Sequence, residues 1–176
     1  MQLTKEEKKF WQRYFRVEKI GDIPNVWPSI GGYGYGDEQF DDYFYFISLR
    51  VSIVHEIILK GSYVTDEGVK HMTVFKELKL LYLRKHQAIT KKSIPYFNQM
   101  KSLESLNITK TNITLTDLCE NLNNQSLKEV FIDSEENEEN ILEKAFILKE
   151  RMPNCNIYLD TCFATNILGN PIKPIF

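Results

Sequence analysis

Three histidines, three cysteines and one glycine-aromatic run are the residues of this chain whose types invite chemistry. A zinc-type site needs a second His or Cys at short spacing, such as H-x-x-x-H. His55, His71 and His86 have none, so they read as structural or surface groups, and no metal or other cofactor is expected. Cys119, Cys155 and Cys162 are odd in number and lack framework spacing, which fits the reduced thiols of a cytoplasmic protein. A nucleophilic thiol needs a neighbouring base. Cys155 flanks a predicted strand with no His near it in register, and Cys119 falls on a return segment and reads as core. The run Gly31-Gly32-Tyr33-Gly34-Tyr35-Gly36 invites comparison with a phosphate cradle. Such a cradle follows a strand, opens a helix and brings Lys-Ser or Lys-Thr. Here Pro24, Pro28 and Ser29 come before and acidic residues come after. The run therefore reads as an aromatic loop, or as a loop that touches a partner.

The densest charge cluster is Asp133-Ser134-Glu135-Glu136-Asn137-Glu138-Glu139. Charge runs are usually solvated surface, but this one leaves a predicted strand at the rim of a sheet, where it could steer a basic partner. The chain as a whole has 176 residues and a formal charge of -2, with 43% hydrophobic and 26% charged residues. That is the make-up of one soluble domain. The lack of basic excess argues against a nucleic-acid partner. The N-terminus does not read as a signal peptide, and no apolar run approaches the ~18 residues of a membrane helix, so no membrane partner is expected.

The elements that must position these residues follow from a recurring spacing. Val54-x-x-Ile57-x-Leu59 is followed by Leu78-x-x-Leu81-x-Leu83, Leu103-x-x-Leu106-x-Ile108 and Leu127-x-x-Val130-x-Ile132, with a degenerate copy ending Ile157-x-Leu159. The middle positions advance by 24, 25, 24 and 27 residues. Between them, Val64-Thr65-Asp66-Glu67-Gly68-Val69 recurs as Ile89-Thr90-Lys91-Lys92-Ser93-Ile94 and as Ile113-Thr114 followed by Leu118. L-x-x-L-x-L at a period of 20–29 residues is the leucine-rich-repeat pattern. The stretch resembles the bacterial and F-box-associated repeats that carry T-D-x-G-L-x-x-L, and the resemblance covers about residues 54–160. It departs from the pattern at the ninth position, usually Asn or Cys, which here is Ser62, His86, Thr111 and Glu135.

The fold expected is α/β, a right-handed leucine-rich-repeat solenoid. Its short parallel sheet, at 57–59, 81–83, 106–108, 130–132 and 157–159, lines the concave face, and the return segments form the convex side. Residues 1–50 are expected to be a helical cap and Gly/aromatic loop, 51–162 about five repeats, and 163–176 a tail. Thr4-x-x-Glu7 is a capping box, and Phe10, Trp11, Tyr14 and Phe15 form an apolar stripe that can lid the first repeat. Ile141, Leu142, Ala145, Phe146, Leu148 and Met152 make a second stripe, with Lys149 and Arg151 in its last turn and Pro153 as its stop.

Alternation along each strand also picks out residues that cannot join the core. Position three reads Glu56, Leu80, Ser105, Glu129, Asn156; position five reads Ile58, Tyr82, Asn107, Phe131, Tyr158; position seven reads Lys60, Arg84, Thr109, Asp133, Asp160. Aromatic and Arg side chains at such positions suit an interface. The expected partner site is Tyr82, Arg84, Asn107, Phe131, Asp133 and Tyr158, with Glu135 and Glu136 at the rim. Tyr82 and Phe131 would be its anchors, unless the cap or tail folds over them. Five strands give a face ~20–25 Å wide, with a projected area of roughly a few hundred Å², below the ~800 Å² per partner of a standard interface, so the rim must contribute. The function expected is protein binding, in the form of an immunity protein that neutralises a bacterial toxin with a basic surface. An adaptor or substrate receptor is the alternative. An enzyme would need a paired carboxylate or a Cys-His set, and neither is expected from the register.

Overall fold

The computed structural model describes residues 2–31, 40–133, 138–160 and 173–175. Six strands, β1 (Val26–Gly31), β2 (Ile53–Lys60), β3 (Leu80–Arg84), β4 (Ser105–Asn107), β5 (Glu129–Ile132) and β6 (Asn156–Leu159), form one sheet in chain order. Every neighbouring pair is parallel. Parallel neighbours require a crossover. Helices supply it: α2 (Asp41–Ser48), α3 (Asp66–Met72), α4 (Ile94–Gln99), α5 (Leu115–Asn121) and α6 (Glu138–Arg151), with α1 (Lys5–Phe15) ahead of the first strand.

The register aligns Ile30, Ile57, Leu81, Leu106, Val130 and Ile157 in one row across the sheet. All six are buried, and they join Leu59, Leu83, Ile108 and Ile132 in a core closed by Val69, Met72, Phe97 and Leu118 from the helices. Several helix starts have a side-chain explanation. Thr65, Thr90 and Thr114 stand at helix starts, and the hydroxyl of each accepts a backbone N–H from two or three residues on. Pro95 sits in the first turn of α4, where its missing N–H costs nothing.

A second set of bonds ties two of these starts, at Thr65 and Thr90, to the helix before. The Asp41 carboxylate accepts from the Thr65 N–H (2.8 Å), the Thr65 hydroxyl (2.7 Å) and the Gly68 N–H (2.9 Å). Asp66 does the same for the Thr90 N–H (2.8 Å) and hydroxyl (2.7 Å) and takes the Ser93 hydroxyl at 2.6 Å. Gly68 is needed because a Cβ there would lie 2.5 Å from Asp41 Oδ1 and 2.7 Å from Val64 Cγ1. The ladder stops at Lys91. Thr114 is instead held by Asp117 of its own helix, in a capping box.

The N-terminal 50 residues do more than the cap expected of them. They add β1 and α2, so that the described sheet has six strands rather than five. Pro28 argued against a strand here, yet β1 lies at the sheet edge. Asn25 O accepts from Ile53 N–H, so alternation turns the Pro28 nitrogen outward, where no ladder bond is lost. Gly31 ends the strand at φ 83°, with the Ile58 carbonyl so close that a Cβ would meet it at 2.2 Å. Helix α1 packs on α2 as a lid: the Phe10 and Phe46 rings stack at 4.9 Å, and Phe10 meets Tyr43 edge-on at 5.6 Å. Buried Glu7 completes the Thr4 capping box and pairs with Arg50 Nε at 2.5 Å. That hydrogen bond holds its carboxyl below the usual carboxylate range against the cost of burial.

The α6 stripe is narrower than its apolar residues suggest. Ala145, Leu148 and Met152 are buried, whereas Leu142 and Phe146 are exposed. The buried residues follow an i, i+3, i+7 row, the period of a helix that turns one stripe to the core.

Candidate functional site

The sheet face away from the core is built from positions that alternate with the buried leucines. Ile58, Tyr82, Asn107, Phe131 and Tyr158 stand side by side, one per strand from β2 to β6. One step further along, Lys60 and Arg84 end β2 and β3, while Thr109, Asp133 and Asp160 lie just past β4, β5 and β6.

Expectation and structure differ on accessibility. Tyr82, Asn107 and Phe131 retain only 4%, 3% and 8% of their surface, so they are not open side chains. Alternation keeps a residue out of the main core but does not expose it. Phe131 stacks on Tyr158 with ring centres 4.5 Å apart and planes 17° from parallel. Asn107 Oδ1 accepts the N–H and hydroxyl of Thr109, at 3.1 and 2.8 Å. Tyr158, Leu80, Arg84, Ser105, Glu129 and Asp133 are half-buried and Glu56 is exposed, so the solvent-facing part of the site is the margin of the column rather than its centre. Glu135 and Glu136, Cys162, and residues 32–36 of the glycine-aromatic run lie outside the described residues.

The charges at the strand ends form a network. Arg84 Nη2 donates to Asp160 Oδ2 at 3.0 Å, across β4 and β5. Lys110 Nζ stands 3.9 Å from the same oxygen, and the Lys110 N–H donates to Asp133 Oδ2. Lys110 takes a left-handed backbone, φ 59°, which turns its N–H toward the Asp133 strand end. The pairing of Ile132 with Leu159 makes Asp133 and Asp160 the next neighbours. Burial raises the Asp160 pKa; Arg84 opposes the shift, and the adjacent Asp133 reinforces it. A carboxylate pair was not expected from the register, yet the seventh column contained it. Lys110 carried no signal, because it lies one residue past that column.

His86 has the structural role expected of the ninth position. It is buried, and Nε2 accepts the Ser62 N–H at 3.1 Å, with the Ser62 hydroxyl at 2.8 Å. Nδ1 is buried with no hydrogen-bond partner among the described residues. Burial lowers its pKa. Cys119 is buried on α5, and its thiol donates to the Lys144 carbonyl at 3.1 Å. Cys155 is fully buried before β6, which pushes its thiol up to about 12. Among the described residues no group of three or more His, Cys, Asp or Glu side chains is arranged to hold a metal ion, and no helix is long and apolar enough to cross a membrane. No family model matches the chain, and no curated protein matches it.

Proposed function

We propose that this chain is a leucine-rich-repeat solenoid whose concave sheet face binds another protein. The observation that carries the reading is the Arg84–Asp160 pair. Its partners stand three inter-strand spacings apart, roughly 14 Å on a flat sheet, yet their charged groups meet at 3.0 Å. That contact favours a sheet curved toward the face that holds the aromatic and charged columns, and inner faces are the usual binding surface of solenoids. The 24- to 27-residue advance of the buried row fits the same reading.

In this reading Tyr82, Asn107 and Phe131 stiffen the surface from beneath. The contact falls to Tyr158, Arg84 and Asp133, with Leu80 and Glu129 beside them. The acidic side chains suit a partner with a basic surface, and neutralisation of a toxin is the specific form proposed. A scaffold role in a larger assembly would use the same face. Among the described residues, the Asp133–Asp160 pair is the feature that favours acid–base chemistry, but Arg84 and Lys110 already engage it, which fits an organising role better.

The test is capture on the immobilised protein, identification of what binds, and calorimetry with folded variants. Tyr158→Ala should weaken the recovered partner at least tenfold, the threshold of about 1.4 kcal/mol for an anchor. Asp133→Asn should slow association, with an effect that fades as salt rises. Co-expression should relieve any toxicity of the partner. Wild-type affinity in both variants would remove this face from consideration.

A further inference from the structure

The strand-end cluster brings two carboxylates together on the sheet face. Ile132 and Leu159 are paired on β5 and β6, so Asp133 and Asp160 follow as neighbours, one inter-strand spacing of about 4.8 Å apart. Both are half-buried. Each is pinned through one oxygen. Asp133 Oδ2 accepts the Lys110 N–H, and Asp160 Oδ2 accepts from Arg84 Nη2 at 3.0 Å with Lys110 Nζ at 3.9 Å. Every one of these contacts falls on an Oδ2 atom, so each carboxylate keeps an Oδ1 with which to share a proton.

Two carboxylates held side by side cannot both carry a full charge without cost. Two cations counter that cost, Arg84 from β3 and Lys110 from the turn after β4, and Lys60 stands beside Arg84 on β2. Among the described residues, Arg84, Lys110 and Asp133 are the charged groups that act on Asp160. The balance at Asp160 favours the neutral acid. Burial comes first, and Asp133 adds to it both as a charge and as a hydrogen-bonding side chain, against the pull of Arg84 and Lys110. The Lys110 N–H and the Arg84 guanidinium also keep the two carboxyl groups from turning apart.

We infer that Asp133 and Asp160 take up one proton in common, and that this proton switches the strand-end cluster from balanced charge to net positive. With both carboxylates ionised, two negative groups meet the two cations Arg84 and Lys110. With one proton added, an Asp160 O–H donates to the Asp133 carboxylate, and one negative group faces the same two cations. The pair is thus a proton switch on the charge of this face. Its bearing on a partner rests on the binding reading above. A basic partner and the proton compete for the same carboxylates, so acid releases the partner and the partner, by the same coupling, expels the proton.

The test is carbon-detected NMR on the full chain, following Cγ of Asp133 and Asp160 from pH 8 to the acid limit of the folded state, with variants checked for folding by circular dichroism. Both carbons should shift together through a first step above the ~3.9 of an ordinary aspartate. In Asp133→Asn the second carboxylate is gone, and the Asp160 carbon should titrate in one step at lower pH. The charge change is read with a cationic and an anionic nitroxide, whose relaxation of the amides at 109–111, 132–133 and 159–160 reports the local potential. The anionic-to-cationic ratio should rise about twofold through the first step, the effect of one charge roughly 8 Å away at physiological salt. Asp160→Asn fixes the net positive state and should show the high ratio already at pH 7.5. Two carbons that titrate independently in the ordinary range overturn the shared proton. A ratio that stays level through the first step overturns the charge switch. Both readouts use the free chain, so failure of the binding reading shows separately, in a recovered partner that ignores Tyr158→Ala and Asp133→Asn.

Discussion

Gly68→Ala should destabilise this protein, although the substitution sits inside a helix where alanine is ordinarily the better residue. Helix propensity alone gives Ala an advantage of about 1 kcal/mol over Gly. The new Cβ, however, would lie 2.5 Å from Asp41 Oδ1 and 2.7 Å from Val64 Cγ1. Val64 is buried and has nowhere to go, so the carboxylate must retreat. It is held by three donors, the Thr65 N–H and hydroxyl and the Gly68 N–H. Weakening one hydrogen bond to a charged acceptor costs about 1.5–3 kcal/mol. The net expectation is a loss of about 0.5–2 kcal/mol, read as a lower urea midpoint at unchanged slope. In an Asp41→Ala background the carboxylate clash is absent, and the cost of Gly68→Ala should shrink by about 1 kcal/mol or more, measured as a double-mutant coupling. A Gly68→Ala chain that is more stable than wild type would refute the close approach, and with it the account of why glycine stands in the T-D-x-G motif.

Stability should decline as pH drops below 6.5. In the window between 6.5 and the lower folded pKa of His86, the unfolded chain takes up a proton that the folded chain refuses, at up to about 1.4 kcal/mol per pH unit. Urea midpoints at pH 7.5 and 5.5 should differ less for His86→Asn than for wild type. Cys155, its thiol pushed up to about 12, should resist alkylation at pH 8 in the native chain and react once urea unfolds it; labelling of Cys155 in the folded state, located by mass spectrometry, would contradict its burial. Arg84→Met removes the 3.0 Å partner of the half-buried Asp160 carboxylate and leaves Lys110 at 3.9 Å, so it should cost about 1.5–3 kcal/mol, whereas Arg84→Met/Asp160→Asn should recover most of that loss in thermal melts.

The five strands from β2 to β6 were legible because apolar residues at alternate positions recur at a nearly constant spacing, and each such row has one way to be buried. The first strand was hidden by Pro28, whose meaning depends on whether the strand has one neighbour or two. Sequence carries no such information. At the candidate site, Tyr82, Asn107, Phe131 and Tyr158 were correctly placed in one column, since period-two geometry fixes the side of the sheet. Their burial was not legible, because alternation says which face a residue occupies and nothing about what covers that face. The Asp133–Asp160 neighbourhood was readable from the column, but Lys110 was not. It reaches the pair through a left-handed turn that obeys no period.

Among the described residues, the outer edges of β1 and β6 are guarded by different chemistry. On β1, Pro28 turns a nitrogen without hydrogen toward the open edge, so the row of donors there is interrupted midway. On β6, the Ile157 carbonyl on the far edge is already taken by the Ile175 N–H at 2.8 Å. Neither margin offers an unbroken backbone template to a further strand. A strand from another molecule would meet a missing donor at one margin and an occupied acceptor at the other.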